Sequence, residues 1–197
     1  MGCRPEGDCT PADVAPDDAR FAAILSDFNT GALAFGNAQG EVGEPVLTTS
    51  GDAVVRSVNG VVYVLERGTT DAVTAVDPSE PAVPMWQVAL PEGANAHDLV
   101  AFADRLWVTG YNTGALYVLD PSDGTLEATH DLGAYGDATD GNPDLDAMAV
   151  VDGRLFVAAQ RLYDDEDEPG VILQAEPGRV LEVDAAGAVI AEHVVGT

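Results

Sequence analysis

The sequence predicts an all-β fold built from about four copies of one repeating unit. Residues 96–108 align without a gap on residues 145–157, and residues 52–64 form an earlier copy of the same pattern. Each copy has an apolar run, a two-residue turn such as Asn-Gly or Asp-Gly, and an alternating strand. That pattern predicts two strands of a β-hairpin.

A further strand follows each hairpin and ends in Asp or Asn. These strands are ALAFGN, AVTAVD, ALYVLD and RVLEVD, and they end at Asn37, Asp77, Asp120 and Asp184. Their equivalent positions Leu33, Val73, Leu116 and Val180 are 40, 43 and 64 residues apart, the last step being lengthened by an insertion. A period of about 40–45 residues with several short strands indicates the blades of a β-propeller.

We therefore predict an all-β, β-propeller-type repeat of about four blades. The blades are expected at residues 20–50, 51–92, 93–140 and 141–197, after a flexible N-terminal tether over residues 1–19. Propellers close with about 4–8 blades, so four is the lower limit. Three arrangements are open: a small closed ring, an open fragment of a longer gene product, and a half ring that another chain completes. The sequence favours an incomplete ring that needs a partner or further sequence, since an uncovered edge strand promotes aggregation.

The stretch NTGAL occurs twice, at Asn29–Leu33 and at Asn112–Leu116, each time directly after an aromatic residue. Because Asn and Gly tolerate positive φ, we expect both copies to form the same tight turn between two inner strands of a blade.

The charge balance excludes a nucleic-acid partner. The chain has 34 acidic and 8 basic residues, all of the latter arginine, for a formal net charge of -26. Such a chain is repelled by nucleic acids and by anionic membrane surfaces. A GC-rich genome and a salt-adapted surface both account for this composition, as does an acidic surface that holds cations.

The N-terminus resembles that of a mature bacterial lipoprotein. Gly2 and Cys3 precede a polar, Pro-rich segment that contains Cys9. In one interpretation Cys3 carries a lipid anchor and the following segment is a tether. In the other, Cys3 and Cys9 form a disulfide or are free thiols. Both interpretations favour the cell envelope, as a periplasmic, surface or extracellular protein.

The segment RLWVTGYNTGALYVLDPSDGTLEATHDLG, residues 105–133, resembles a blade of the bacterial YVTN-type β-propeller repeat proteins. Residues 95–162 are similar to uncharacterised envelope propeller lipoproteins. This resemblance implies a propeller fold over residues 20–195. It implies no reaction, because propellers include enzymes, scaffolds and binding modules.

Two loops are candidate cation sites. The loop at residues 135–146 is rich in oxygen ligands of the kind calcium prefers, namely Asp137, Asp140, Asn142, Asp144 and Asp146. It lacks the EF-hand spacing, so a solvated acidic loop is the alternative. The insertion at residues 163–170 is a run of like charges that supplies cation ligands, binds a partner, or is a solvated excursion.

His97 and Asp98 form a third candidate site at the start of a predicted inner strand. Adjacent strand residues point to opposite faces, so the two cannot act as a dyad by facing each other. Asp146 occupies the position of His97 in the next copy. His97, Asp98 and Asp146 are therefore candidate binding residues, and a hydrogen bond between blades is the alternative role of His97.

No nucleophile motif or zinc-ligand spacing accompanies these residues. We therefore expect a non-catalytic cell-envelope propeller that binds a protein or glycan, or assembles with other subunits, through its loops. The alternative is a calcium-dependent propeller hydrolase or lactonase-like enzyme, which would need ligands from several blades.

Overall fold

The computed structural model describes residues 14, 18–68, 70–164, 171–174 and 176–196. Cys3, Cys9, most of the predicted tether and residues 165–170 of the insertion lie outside the described residues. The chain divides into two compact units, Met1–Val88 and Ala89–Thr197. No helix in the described ranges is long and apolar enough to cross a bilayer.

The first unit contains two antiparallel sheets. One has three strands in the order β1-β2-β3, with β1 at Phe21–Ser26, β2 at Thr30–Gly36 and β3 at Leu47–Ser50. We call it the first sheet. The other has four strands in the order β4-β5-β6-β7, at Val54–Val58, Val61–Glu66, Ala72–Val76 and Pro84–Ala89.

These two sheets pack face to face through apolar side chains. Leu33 and Phe35 from β2 cluster with Val62, Val64 and Val76 from the neighbouring sheet. All five are buried, and burial of each such side chain stabilises the fold by about 1.5–3 kcal/mol. The alternating apolar residues of these strands thus place the sheet faces together.

The second unit contains two four-stranded sheets and a small hairpin. The sheet β8 to β11, ordered sequentially, spans Ala96–Phe102, Arg105–Gly110, Ala115–Leu119 and Leu126–Asp131. The last sheet has the order β12-β13-β16-β17, at Leu145–Val151, Arg154–Ala159, Gly178–Val183 and Val189–Val195. The hairpin pairs β14, Leu162–Asp164, with β15, Ile172–Gln174.

A second core lies between the two large sheets of this unit. It contains Trp107, Leu116 and Val118 from one sheet with Leu155 and Leu181 from the other. The Trp107 indole N–H donates a hydrogen bond to the Phe102 carbonyl at 3.0 Å, so its buried polar atom is satisfied.

The predicted all-β fold is confirmed, with several four-stranded antiparallel sheets in the manner of about four propeller blades. The hairpin turns also match their prediction. Asn59-Gly60 joins β4 to β5 and Asp152-Gly153 joins β12 to β13, with positive φ at both residues of each pair. A two-residue turn with positive φ at both positions has a backbone twist that matches the twist of the flanking strands.

The prediction that both NTGAL copies form the same turn is wrong. In the first copy Ser26 pairs with Gly31, Thr30 already belongs to β2, and the residue at positive φ is Phe28. In the second copy Gly110 pairs with Ala115, and the residue at positive φ is Gly114.

The surroundings of the two turns explain the difference. Asp27 Oδ1 accepts hydrogen bonds from the Asn29 and Thr30 amides at 2.9 and 2.7 Å, which fixes the first turn ahead of the glycine. In the second turn the ring of Pro143 lies 2.7 Å from where a Cβ of Gly114 would stand. The same five letters therefore adopt two registers because their neighbours differ.

Candidate functional site

The side chains of His97 and Asp146 meet where two adjacent strands of the second unit begin. His97 Nδ1 lies 3.1 Å from Asp146 Oδ1, and the side chains are 19% and 33% exposed. His97 belongs to β8 and Asp146 to β12, so this contact joins the two large sheets of the second unit. The structure therefore brings together two of the three residues predicted as a binding site.

Two further residues complete this polar cluster, and sequence reasoning did not identify either as a site residue. The Tyr111 ring stacks on the His97 ring, with centroids 4.1 Å apart and an interplanar angle of 14°. Gln160 Nε2 donates a hydrogen bond to Asp146 Oδ2, and Tyr111 OH donates to Gln160 Oε1 at 3.5 Å. Both oxygens of Asp146 are thus engaged within the protein.

Asp98 occupies a different position from His97, as strand alternation predicts. It is buried, and its Oδ2 accepts a hydrogen bond from the Met148 amide at 2.6 Å while Oδ1 accepts one from the Leu99 amide at 2.8 Å. Thr109 Oγ1 accepts a hydrogen bond from the Asp98 amide and donates one to the Asp146 carbonyl. Asp98 therefore ties β8 to β12, and these donors compensate the burial of its carboxylate.

The acidic loop predicted as a cation site is folded around its own backbone. Asp137 Oδ1 accepts hydrogen bonds from the Thr139 and Asp140 amides, and Asp140 Oδ1 accepts one from the Asn142 amide. Such side-chain-to-backbone bonds are those of turn-forming Asp residues.

The C-terminal end of the same loop is held by neighbouring strands. Asn142 Nδ2 donates to the Tyr111 carbonyl at 3.1 Å and to Asp144 Oδ1 at 2.8 Å, and Asp144 Oδ2 accepts from the Leu162 amide at 2.7 Å. Within the described ranges, no three His, Cys, Asp or Glu residues are grouped so that they could hold one metal ion. Calcium binding by this loop stays a prediction.

Arg161 also holds this loop in place, and no sequence motif indicates that role. It is buried and donates from Nη2 to the Gly136 carbonyl at 3.0 Å, from Nη1 to the Pro177 carbonyl at 3.2 Å, and to the Glu176 carboxylate. A guanidinium group suits this position because it presents several donors in a fixed plane.

At its centre, along β13, the last sheet has one covered and one uncovered face. Along β13, Leu155, Val157 and Ala159 are buried in the core, whereas Arg154 is exposed and Phe156 and Ala158 are only half-buried. The strand β10 of the neighbouring sheet is buried at every residue. One face of the last sheet is therefore accessible to solvent.

We call this accessible surface the last-sheet face. Strand register and alternation assign to it Ala149 and Val151 from β12, Arg154, Phe156 and Ala158 from β13, Val180 and Glu182 from β16, and Ala191, His193 and Val195 from β17. Val151 is 52% exposed and Val195 47%. Glu182 forms an ion pair with Arg154 at 3.1 Å. Within the described residues Glu182 is the one acidic residue on this face.

No family model and no curated protein matches the chain. Solved structures do match it. Hydrazine synthase from Kuenenia stuttgartiensis matches at 14% identity and a TM-score of 0.56, over 98% of this chain and 53% of that one. Virginiamycin B lyase from Staphylococcus aureus matches at 10% identity and a TM-score of 0.54, over 90% of this chain and 74% of that one. Apo AztD from Citrobacter koseri matches at 18% identity and a TM-score of 0.54, over 88% of this chain and 44% of that one.

At these identities the similarities show the fold alone. The chain spans about half the length of two of these three structures. Together with the sheets described above, the similarities define a protein of the β-propeller type.

Proposed function

We propose that the chain is a non-catalytic β-propeller module that binds or assembles with protein through the last-sheet face. The observation that carries the proposal is the composition of that face. Seven of its ten residues are apolar, and its one acidic residue is paired with Arg154. The whole chain has 34 acidic residues and a formal net charge of -26.

Protein interfaces differ from the remaining surface by the depletion of charge at their centre. Scattered exposed apolar residues are ordinary, and Val150 and Val194 of the same sheet are examples, but Val151 and Val195 belong to one sheet face whose other residues are also mostly apolar. The two sheet cores of this chain show that such a face is buried when a second sheet is present. A partner that presents a flat apolar surface would cover the last-sheet face in the same manner.

The polar cluster at His97 favours binding over catalysis. Asp146 accepts hydrogen bonds at both oxygens, and the Tyr111 ring covers the imidazole of His97. The cluster thus links the two sheets of the second unit. A second contact region for a protein or glycan lies at the strand ends and loops of this unit. It includes the exposed side chains of Ile172 and Leu173 in the β14–β15 hairpin.

A cell-envelope location with a lipid anchor at Cys3 belongs to the same proposal, and it rests on the N-terminal sequence alone. Calcium-dependent hydrolysis is the alternative function, and it too rests on sequence alone. Loss of a turnover-competent calcium ion on Asp146→Ala substitution would favour that alternative.

The first test is the mass of the purified chain in solution, measured by light scattering after size exclusion at several concentrations. We expect a mass above the monomer value of 20.4 kDa. Val151→Glu places a charge on the last-sheet face and should return the mass to that of a monomer. Ala186→Glu is the matched control, because Ala186 is exposed in the turn after β16. A wild-type monomer at every concentration would contradict assembly.

A further inference from the structure

We infer that the last-sheet face binds the outer face of the first sheet of a second copy of this chain. This inference rests on the proposed function and names the partner. It makes the contact heterologous, which means that two different surfaces of the same protein meet. Each copy then carries one surface of each kind.

The outer face of the first sheet, here the first-sheet face, follows from strand register. The inner face contributes Ala22, Ile24, Leu33 and Phe35 to the core. Alternation therefore assigns to the first-sheet face Phe21, Ala23 and Leu25 from β1, Ala32 and Ala34 from β2, and Thr48 from β3. Ala34 is buried, whereas Ala23, Leu25 and Ala32 are half-buried and Phe21 and Thr48 are exposed.

An aromatic ring flattens this face. Gly36 pairs with Phe21, and the Phe21 ring stands 2.0 Å from where a Cβ of Gly36 would be. The ring thus lies on the glycine and covers its backbone, while 41% of Phe21 stays exposed to solvent. A ring that lies on a sheet of small residues gives a surface suited to face-to-face sheet packing.

Electrostatic repulsion limits which surfaces of two copies can come into contact. Two chains of net charge -26 repel each other, so a contact between copies requires surfaces that carry little acid. The first-sheet face has no ionisable residue among those described, and the last-sheet face has one paired carboxylate. The two faces therefore combine apolar contact with the least electrostatic repulsion.

Contact area favours an arrangement that uses both faces. A four-stranded sheet with about five residues per strand covers roughly 300 Å², from a strand spacing of about 4.8 Å and a rise of about 3.3 Å per residue. A stable interface buries about 800 Å² of each partner, so one such face is too small. The three-stranded first sheet is smaller still, so a copy that engages both faces buries nearly twice the area of one face and remains below a standard interface, which predicts a concentration-dependent dimer.

The test is complementation between two variants, each with one blocked face. Thr48→Glu charges the first-sheet face and Val151→Glu charges the last-sheet face. We expect each purified variant to be monomeric. Each keeps one of the two faces unchanged, but every copy of the same variant has lost the face to which it would bind. An equimolar mixture can form one of the two contacts, so light scattering should give a mass that rises with concentration above the 20.4 kDa monomer value, up to a one-to-one dimer.

Ala38→Glu and Ala186→Glu serve as controls, since both residues are exposed in turns next to the strands of the two sheets. Circular dichroism of every variant establishes that it is folded. A folded Thr48→Glu variant that keeps the wild-type mass would overturn this inference and leave the proposed function intact. The same holds if each variant is monomeric alone and the mixture also stays monomeric at every concentration. A wild-type chain that is monomeric throughout would overturn this inference together with the assembly part of the proposed function, and would leave binding to a different protein to be tested.

Discussion

Replacement of Asp98 by Ala tests whether the bond between β8 and β12 stabilises the second unit. Asp98 is 5% exposed and accepts hydrogen bonds from the Met148 and Leu99 amides. The Ala variant leaves both donors without their acceptor, and each buried unsatisfied donor costs about 1–3 kcal/mol. Removal of a buried charge offsets part of this cost, so we expect a loss of about 3 kcal/mol in the free energy of unfolding.

The assay is urea unfolding followed by circular dichroism, with the melting temperature as a second measure. For a chain of this size, a loss of about 3 kcal/mol lowers the melting temperature by about 6–12 °C. Asp98→Asn keeps one carbonyl acceptor and should lose less stability than Asp98→Ala. Glu92→Ala removes an exposed carboxylate and should change stability by no more than about 0.5 kcal/mol. A cost below about 1 kcal/mol for Asp98→Ala would refute the reasoning.

Two further predictions concern individual contacts. Gly187→Ala should lower the melting temperature, because φ is +81° there and a Cβ would lie 2.2 Å from the His130 ring; an unchanged value would show that the ring moves away without cost. The hydroxyl and amide of Ser122 donate to Asp120 and hold its pKa below the ordinary value of 3.8. This contribution to stability is present above pH 3.8 and is lost as the pH falls further. The stability difference between wild type and Ser122→Ala should therefore shrink in acid, and a difference that stays constant to pH 2 would contradict this account.

The repeat made the fold predictable from sequence because its signals are local. Asn59-Gly60 and Asp152-Gly153 specify tight turns by themselves, and alternating apolar residues specify the strands beside them. The NTGAL stretch shows the limit of this approach. Its register depends on Asp27 in one copy and on Pro143 in the other, and Pro143 is 29 positions beyond the glycine that it contacts. A comparison of five-residue stretches cannot detect the effect of a residue that is so distant in sequence.

The candidate site was predictable only where two repeats carry polar residues at equivalent positions. His97 and Asp146 occupy such positions, and their side chains meet. Gln160 and Arg161 directly follow β13, and nothing in their own sequence indicates that one reaches Asp146 and the other supports the acidic loop. These contacts depend on how loops return to the sheet, which the period of the repeat does not encode.

The positions of the acidic residues help to distinguish between the explanations for the acidic composition of this chain. A GC-rich genome and a salt-adapted surface both enrich Asp and Glu wherever a residue is exposed, without regard to which sheet face it occupies. Under either explanation Ala149, Val151 and Val195 would be natural places for acidic residues, since all three are exposed. Their apolar identity fits a second constraint on the last-sheet face, and under the proposed function contact with another protein surface is that constraint. Under the same proposal the acidic composition contributes to specificity, because exposed acidic residues on both copies disfavour contact through other surfaces.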